Sequence, residues 1–506
     1  MITFRSPWFP FFAALVVFLR ATQGVFHLDD YAILVDPAIT SPNGWFDCFR
    51  WTQTRPLTWL SFWANYQMFG EWAGGYLAIN LLLHATNAAL LRIALGRVVS
   101  VEVAAGAAIL FAVHPFAVEP VNYIFARAIL LATMFSLLAM RAWFNEKFWH
   151  ALGWFTLGML AKEECAALPI FFLMYEWSIG ITKKRLVPII AMLCVACLLG
   201  ARTILATKII AGSGSGFGAG ITPLQYLYPQ GEIILLKYIS GFFGPFMFTI
   251  DPDTHFSAGL IMDLAPWALI ALLIVWASRS FRNLGAGFWF LCGLVLLLPS
   301  SSILPASDLA AFRRMYLPMV AVSVGFASGY INSNGWFRLA FILFFALHSF
   351  WQTGYWLTEV SLWTRAVEIS HHKIRPRIQL ARVSPNDKAL EILNDLPKST
   401  PDNGTVASEK ARVYLSMHKP ELALAEFGKA LALSPSDPLA ISNRGAVLGM
   451  LGQKEAAKSD FDRALMLDPC QYDSRYNLKL LGFPVDPPPP HCRWNQNQKQ
   501  QFGLVQ

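Results

Sequence analysis

The chain is poor in charge: Lys, Arg, Asp and Glu make up 14% of its 506 residues, while 55% are hydrophobic and the mean hydropathy is +0.44. Those values lie outside the range of soluble globular domains. The net charge of +8 is modest for this length, and the basic residues collect in short loops between apolar runs, so no nucleic-acid-binding patch is read. Cysteine is scattered, at Cys48, Cys165, Cys194, Cys197, Cys292, Cys470 and Cys492, and implies no disulfide framework. Cys194 and Cys197 have C-x-x-C spacing, but they sit in an apolar run without a second ligand pair and are expected to pack. A glycine-rich phosphate loop is missing, and so is any metal-ligand cluster of diagnostic spacing. No metal site or cofactor is therefore expected.

What the chain has instead is long apolar runs. Crossing a hydrocarbon core of about 30 Å takes roughly 20 helical residues, and about eleven segments approach that criterion: Trp8–Val25, Gly74–Leu95, Val101–Ala117, Val121–Phe144, Ala151–Ala161, Cys165–Ile181, Leu186–Ala206, Leu260–Ala277, Ala286–Leu304, Tyr316–Ile331 and Leu339–Tyr355. The first follows Arg5, lacks a small-residue cleavage site and reads as an uncleaved span. With the N-terminus cytoplasmic, the cytoplasmic loops hold Arg92, Arg97, Arg141, Lys147, Lys183–Arg185, Arg279, Arg282 and Arg338, which is the positive-inside pattern. An odd number of spans puts everything after Tyr355 on the far side, periplasmic in a bacterium or lumenal in a eukaryote. Leu224–Phe248 is apolar but interrupted by Gly231, Glu232, Lys237, Gly241 and Gly244, and is read as an interfacial or re-entrant helix pair. Two outer loops are long, His27–Trp72 and Thr207–Ser257, the second containing the Gly212–Gly220 tract; Lys237 within it is read as snorkelling to the interface. Residues 1–358 are thus read as one multispanning unit.

From residue 359 the composition turns soluble and a period of 34 appears. Pro401, Pro435 and Pro469 recur at that spacing, as do Ala389, Ala423 and Ala457, then Leu393, Phe427 and Phe461, and finally Ala430 and Ala464. Small residues that let two antiparallel helices approach, with a proline ending the second, are the tetratricopeptide signature. Repeats of about 374–407, 408–441 and 442–475 fill an α-solenoid over 359–482, and the proline-rich, glutamine-rich tail 483–506 is expected to be disordered. The fold class is therefore all-α: a polytopic helical bundle followed by a solenoid.

Polar residues recur at one end of the spans. His27-Leu28-Asp29-Asp30-Tyr31 opens the first outer loop; two adjacent carboxylates there raise one another's pKa and suit a base, or else serve as a solvated turn or helix cap. Arg55-Pro56-Leu57-Thr58 follows. Asn80, His84 and Asn87 share one helical face and must point into the bundle, either to hydrogen-bond between helices or to meet a ligand. His114-Pro115, Glu119-Pro120, Asn122 and Arg127, then Lys162-Glu163-Glu164, and finally Arg313-Arg314-Met315-Tyr316 all fall at the same outer face. Singly each is an interfacial anchor. Together, an acid to deprotonate a hydroxyl and cations to neutralise a departing lipid phosphate are what transfer from a lipid-linked phosphosugar needs.

On these residues the chain resembles the transmembrane and tetratricopeptide-containing protein O-mannosyltransferases and their bacterial relatives, within the C-type glycosyltransferases. The matching segments are Asp29-Asp30, Arg55-Pro56-Leu57, Gly75-Tyr76 to His84 with Asn80 and Asn87, Phe111 to Glu119 around His114-Pro115, Arg127, Lys162-Glu163, and Arg313 to Pro318. The resemblance implies inverting transfer of a sugar, often mannose, from a polyprenyl phosphate to a Ser or Thr hydroxyl of a protein at the outer face. It implies Asp29 and Asp30 as the base, and Arg55, His84, His114, Glu119, Arg127, Lys162, Glu163, Arg313, Arg314 and Tyr316 as donor-binding. Metal need varies across that superfamily. Arg313-Arg314 departs from the family's acidic residue and arginine, and the chain carries fewer repeats than many relatives. A lipid or polysaccharide acceptor, and a non-catalytic membrane-anchored scaffold recruiting a protein through the repeats, are the competing expectations.

Overall fold

The computed structural model describes residues 5–209, 222–254, 260–302, 306, 308–396, 403–490, 492, 494, 498 and 500–504, with backbone alone at 207–209 and 260–262. The Gly212–Gly220 tract, Pro401 and the ends of the Thr207–Ser257 loop and of the Ala286–Leu304 segment lie outside the described residues. Among those described, regular structure is entirely helical. The chain divides into two compact units, Met1–Leu362 and Trp363–Gln506.

In the first unit the helix Ala73–Ala94 is central, packed by Trp8–Phe18, Val101–Val113 and Arg127–Phe144. Val101–Val113 starts at the Ser100 cap, whose hydroxyl accepts from Val103 N at 3.3 Å. Ala104, Ala105, Ala107 and Ala108 are fully buried along it, small enough for neighbouring helices to approach closely. Met319–Tyr330 packs on this helix and on Ala286–Leu297, and Gly335–Thr353 closes the group against Trp8–Phe18.

Each apolar segment does contain a helix, but most are shorter than the runs that announced them. Among the described residues three helices, Ala73–Arg97, Ile124–Phe144 and Lys183–Ala206, are long and apolar enough to cross a membrane; the pair Val101–Val113 and Pro115–Asn122, bent by 52°, makes four where it is one broken span rather than a re-entrant loop. Trp8–Gln23, Asp263–Ser278, Ala286–Leu297 and Met319–Tyr330 are apolar but fall below that length. The count of about eleven full-length spans is therefore corrected. Hydropathy runs continue through prolines at helix boundaries: Pro115 follows the end of Val101–Val113, and Pro169 and Pro318 stand at the starts of Leu168–Ile179 and Met319–Tyr330; each lacks the backbone N–H and clashes with the preceding turn, and the 3₁₀ turns Pro115–Ala117, Glu163–Ala167 and Phe312–Met315 lie at these boundaries. The stretch read as a helix pair is instead one rod: Pro223–Glu232 runs through a π-helical segment, Ile233–Ile239, into Ser240–Phe243. Cys194 and Cys197, expected to pack, are exposed on the sparsely covered Lys183–Ile209 helix.

The second unit stacks helix pairs: Ile374–Arg382 with Asn386–Asn394, Gly404–Ser416 with Pro420–Leu433, and Pro438–Met450 with Lys454–Leu467, followed by Tyr472–Leu480. The second and third pairs start 34 residues apart, at Gly404 and Pro438. Ala423 and Ala457 are fully buried where paired helices touch, beside Phe427 and Phe461. His418 and Gly452, at the same place in the two turns, both adopt left-handed backbone, φ 57° and 78°, a conformation that glycine takes without strain and histidine does not. The tail departs from expectation. Phe483 and Val485 pack on Leu448, Ala457, Phe461 and Leu478, Cys492 forms a disulfide with Cys470, and Trp494 Nε1 donates to Cys470 O at 2.8 Å. Burial of those rings and one covalent bond outweigh the polar composition.

Phe427 has no exposed surface, so truncation leaves a cavity costing about 3–5 kcal/mol. In Phe427→Ala, hydrogen exchange across 404–467 should lose most of its protection in the full-length protein while the Ala73–Ala94 helix keeps its own; unchanged protection in the second unit contradicts the packing described.

Candidate functional site

His27 enters the first loop extended from the bundle, and Leu28 then takes a left-handed φ of 47°, uncommon for a branched residue and costing of order 1–3 kcal/mol. That twist separates the two acids. Asp30, the first residue of the helix Asp30–Val35, is fully buried; its Oδ2 accepts from His27 N at 3.0 Å and its Oδ1 from Phe125 N at 2.7 Å. Burial pushes its carboxyl pKa well above the usual range, and the backbone N–H groups oppose that shift without overcoming it. Asp29 faces out, exposed, and one of its oxygens accepts from the Tyr123 hydroxyl at 2.9 Å.

Tyr123 is the hinge of the site. Its backbone N–H caps the turn Val118–Asn122 by bonding Glu119 O at 2.9 Å, and its carbonyl accepts from Asn80 Nδ2 at 3.2 Å. The ring is buried between Trp356 and Phe125, with the Arg313 guanidinium 5.9 Å from its centre. Arg313 N donates to Glu119 Oε2 at 2.9 Å, and its guanidinium pairs with the other oxygen of Glu119 and with Asp308 at 3.2 Å. Burial alone would depress the guanidinium; Glu119 and Asp308 outweigh it and its pKa is raised.

Arg55 lies beside this group, near enough for the Arg313 charge to be felt. Its Nε and one terminal nitrogen hold both oxygens of Glu163, at 3.0 and 2.5 Å, a two-point contact only a guanidinium makes. Burial disfavours the charged form of Glu163, yet the bound Arg55 holds its pKa down at about 2. Lys162 pairs with Glu164 at 2.7 Å; burial lowers its pKa despite that partner. Thr58 Oγ1 donates to Ala161 O at 2.8 Å and ties the helix Pro56–Phe69 to the end of Phe148–Ala161.

The structure thus places these residues in two groups at helix ends, Asp29, Glu119 and Arg313 around Tyr123 and Arg55 with Glu163 beside the Lys162–Glu164 pair, with the charge of Arg313 felt at Arg55. It keeps the other expected site residues apart, in the interior. Arg127 is fully buried, donating to Asn80 Oδ1 at 2.8 Å, Tyr76 O at 2.9 Å and Ser61 O at 3.3 Å, with Phe62 stacked 4.7 Å away. His84 joins Ala112 O at 3.0 Å and the Tyr316 hydroxyl at 2.8 Å, and Asn87 Nδ2 reaches the same hydroxyl at 3.3 Å. His114 Nδ1 accepts from Phe116 N at 3.1 Å, which leaves Nε2–H to donate to Phe242 O at 3.1 Å. Arg314 donates to the Tyr226 hydroxyl at 3.0 Å and to Leu309 O and Asp308 O at 2.8 and 2.6 Å. Buried polar groups bonded across helices hold them together, and the bonds of Asn80, His84 and Asn87 Nδ2 are of that kind, whereas Asn87 Oδ1 is buried with no hydrogen-bond partner among the described residues. Among the described residues no group of three or more His, Cys, Asp or Glu is arranged to hold a metal. Tyr123 and Asp308 were missed in sequence. The available signal for Tyr123 was its place between Glu119-Pro120 and Arg127.

An apolar groove of about 390 Å³ opens nearby, lined among others by Tyr238, Phe242, Phe290, Leu297, Met315 and Phe326. Met315 stands two residues after Arg313, so one wall of the groove begins at the charged turn.

No family model matches the chain. It is 26% identical over 358 residues to Protein O-mannosyl-transferase F38B6.6 of Caenorhabditis elegans, covering 65% of this chain. The chain spans half the length of that relative. Among solved structures it is similar to the Cut9–Hcn1 hetero-tetramer of the APC/C over 85% of this chain and 90% of that one, at 12% identity and a TM-score of 0.19, too low to carry an argument about fold.

Two outcomes follow from this geometry. Asp30→Ala strands the His27 and Phe125 amides in the interior at about 1–3 kcal/mol each, whereas Asp29→Asn, which keeps an acceptor for Tyr123, stays within about 0.5 kcal/mol; thermal unfolding in one detergent should rank them so, and equal losses contradict the division between the acids. Glu163, with a folded pKa of about 2 against an ordinary 4.5, contributes stability that is complete above 4.5 and lost as pH falls through about 2. Wild-type melting temperature should therefore drop more steeply over that interval than that of Glu163→Gln; parallel curves argue against the Arg55 contact.

Proposed function

We propose that this chain is a membrane glycosyltransferase that moves a sugar, mannose or a similar hexose, from a polyprenyl phosphate to a Ser or Thr hydroxyl of a protein. The observation that carries the reading is that one exposed carboxylate, Asp29, and the Arg313 guanidinium both meet Tyr123, the first at its hydroxyl and the second over its ring. The mannosyl-transferase name of the C. elegans relative supports the reaction class. Asp29 takes the proton from the acceptor hydroxyl, whose oxygen attacks the anomeric carbon from the side opposite the phosphate. The bond from that carbon to the phosphate oxygen breaks, its electron pair leaves with the polyprenyl phosphate, and the configuration inverts. Arg313, with Arg55 and Lys162 beside it, offsets the charge that accumulates on the phosphate.

The groove next to Met315 suits the isoprenoid chain: it is apolar and lies within the size range of small-molecule sites. Each cation of the cluster already has a carboxylate partner, so the phosphate enters by exchange. The longest of these contacts, Asp308 to Arg313 at 3.2 Å, is the one it replaces. The helices long enough to cross a membrane, together with the shorter apolar ones and their flanking turns, form the multispanning bundle. The second unit presents stacked helix pairs of the kind that bind peptides, and there it receives the acceptor protein. Its disulfide belongs to an oxidising compartment, the bacterial periplasm or a lumen.

Full-length protein in proteoliposomes, given a short-chain polyprenyl phosphomannose and a Ser/Thr-rich peptide, should transfer the sugar with inversion. Asp29→Asn should lower the rate by about 10²–10⁴-fold, and Arg313→Gln should lower it too. Transfer by Asp29→Asn at the wild-type rate sinks the reading, while transfer to glycolipid but never to peptide reassigns the acceptor.

A further inference from the structure

We propose that Tyr123 is the positioning residue of this site: a phenol spacer whose hydroxyl aims the Asp29 carboxylate and whose ring keeps that carboxylate from pairing with Arg313. The proposal rests on the reading that Asp29 is the base.

An exposed carboxylate and a guanidinium on the same face attract each other, and the contact would cost the site both groups at once. The carboxylate would have its lone pairs filled, and the cation would lose the position at which a phosphate is received. The structure shows how this is avoided. The Tyr123 hydroxyl donates to Asp29 at 2.9 Å, while the Arg313 guanidinium lies over the ring, 5.9 Å from its centre, so that each group has its own part of the phenol. Burial, followed by the charges of Asp29 and Asp30, raises the phenol pKa, so the hydroxyl remains a donor at neutral pH. The Arg313 guanidinium is meanwhile paired with Glu119 and Asp308.

Tyr123 can serve as a rigid spacer because it is fixed from every side. Its carbonyl is held by Asn80, which is itself held by the buried Arg127. Its amide is held by the turn carrying Glu119, the carboxylate that grips Arg313. Phe125 N, two residues on, is clamped by Asp30, next to Asp29. The backbone around Tyr123 is therefore tied to the base and to the cation by separate routes, which is how a supporting residue maintains a fixed distance between two functional groups. Arg127 and Asn80 then have a place in the site without touching a ligand: they anchor the spacer.

Two substitutions separate the functions of the ring and the hydroxyl. Tyr123→Phe keeps the spacer and removes the hydrogen bond; kcat should fall about tenfold or more, the size of one bond to a charged group, with the KM for polyprenyl phosphomannose unchanged. Tyr123→Leu removes the spacer; kcat should fall further and the donor KM should rise, because Asp29 now occupies Arg313. A structure of Tyr123→Leu in a lipid nanodisc reads the same claim without any assay: an ion pair between Asp29 and Arg313 is expected, and a pair still held apart overturns the proposal whatever the kinetics show. Wild-type kinetics in Tyr123→Phe overturn the role of the hydroxyl. Failure of the underlying reading looks different, since it appears as undiminished transfer by Asp29→Asn.

Discussion

The arrangement depends on one buried carboxylate. Asp30 accepts the amides of His27 and Phe125, residues separated by almost a hundred positions, and so welds the start of the first loop to the turn in front of the Arg127–Phe144 helix. Consecutive side chains at a helix start diverge by about 100°, so once Asp30 points inward Asp29 has to point out. The left-handed Leu28 makes the tight approach possible. The acid pair is therefore a structural group and a chemical group side by side, each with the environment its task requires: full burial with amide partners for one, solvent and a single phenol for the other.

The same division runs through the first unit. Asn80, His84 and Asn87 within the Ala73–Ala94 helix, and Arg127 at the start of its own, have partners on other segments, whereas Asp29, Arg55, Glu163 and Arg313 at helix ends remain partly open. This follows from how the helices stop. A helix end leaves backbone groups unsatisfied, and a 3₁₀ turn tightens the last residues while turning their side chains off the helix face. Glu163–Ala167 and Phe312–Met315 are such turns, and they carry Glu163 and Arg313.

Much of this was legible in the sequence. Apolar runs located the helices and the 34-residue period located the stacked pairs, while of the acids and cations recurring at one end of the spans some lie at helix ends and others in the interior. Helix length was not legible, because hydropathy is blind to the proline that ends a helix in the middle of an apolar run, as at Pro115. Nor could the sequence separate Arg127 from Arg313. Both are arginines beside an apolar segment, and only the path of the backbone decides that Asn80, Tyr76 and Ser61 enclose one of them while the other reaches the rim. Tyr123 escaped notice for a related reason: a tyrosine in a chain with 14 tyrosines and 39 phenylalanines becomes informative only when its hydroxyl is seen to end on Asp29. The tail was misread because composition records polarity but not a covalent bond between Cys470 and Cys492.

The proposed location of the second unit rests on that disulfide and not on charge. The pattern of Lys and Arg in alternate loops was tied to about eleven crossings, and with three or four helices of crossing length among the described residues it no longer fixes a side. A bond between two thiols argues from redox chemistry for an oxidising compartment, since cytosolic reductants keep such pairs open. The unpaired cysteines fit that proposal. Cys48, Cys165 and Cys292 are buried, which keeps them from exchanging with the Cys470–Cys492 bond in an oxidising space, and Cys194 and Cys197 lie on the apolar helix Lys183–Ile209, where a lipid environment would shield them from thiolate chemistry.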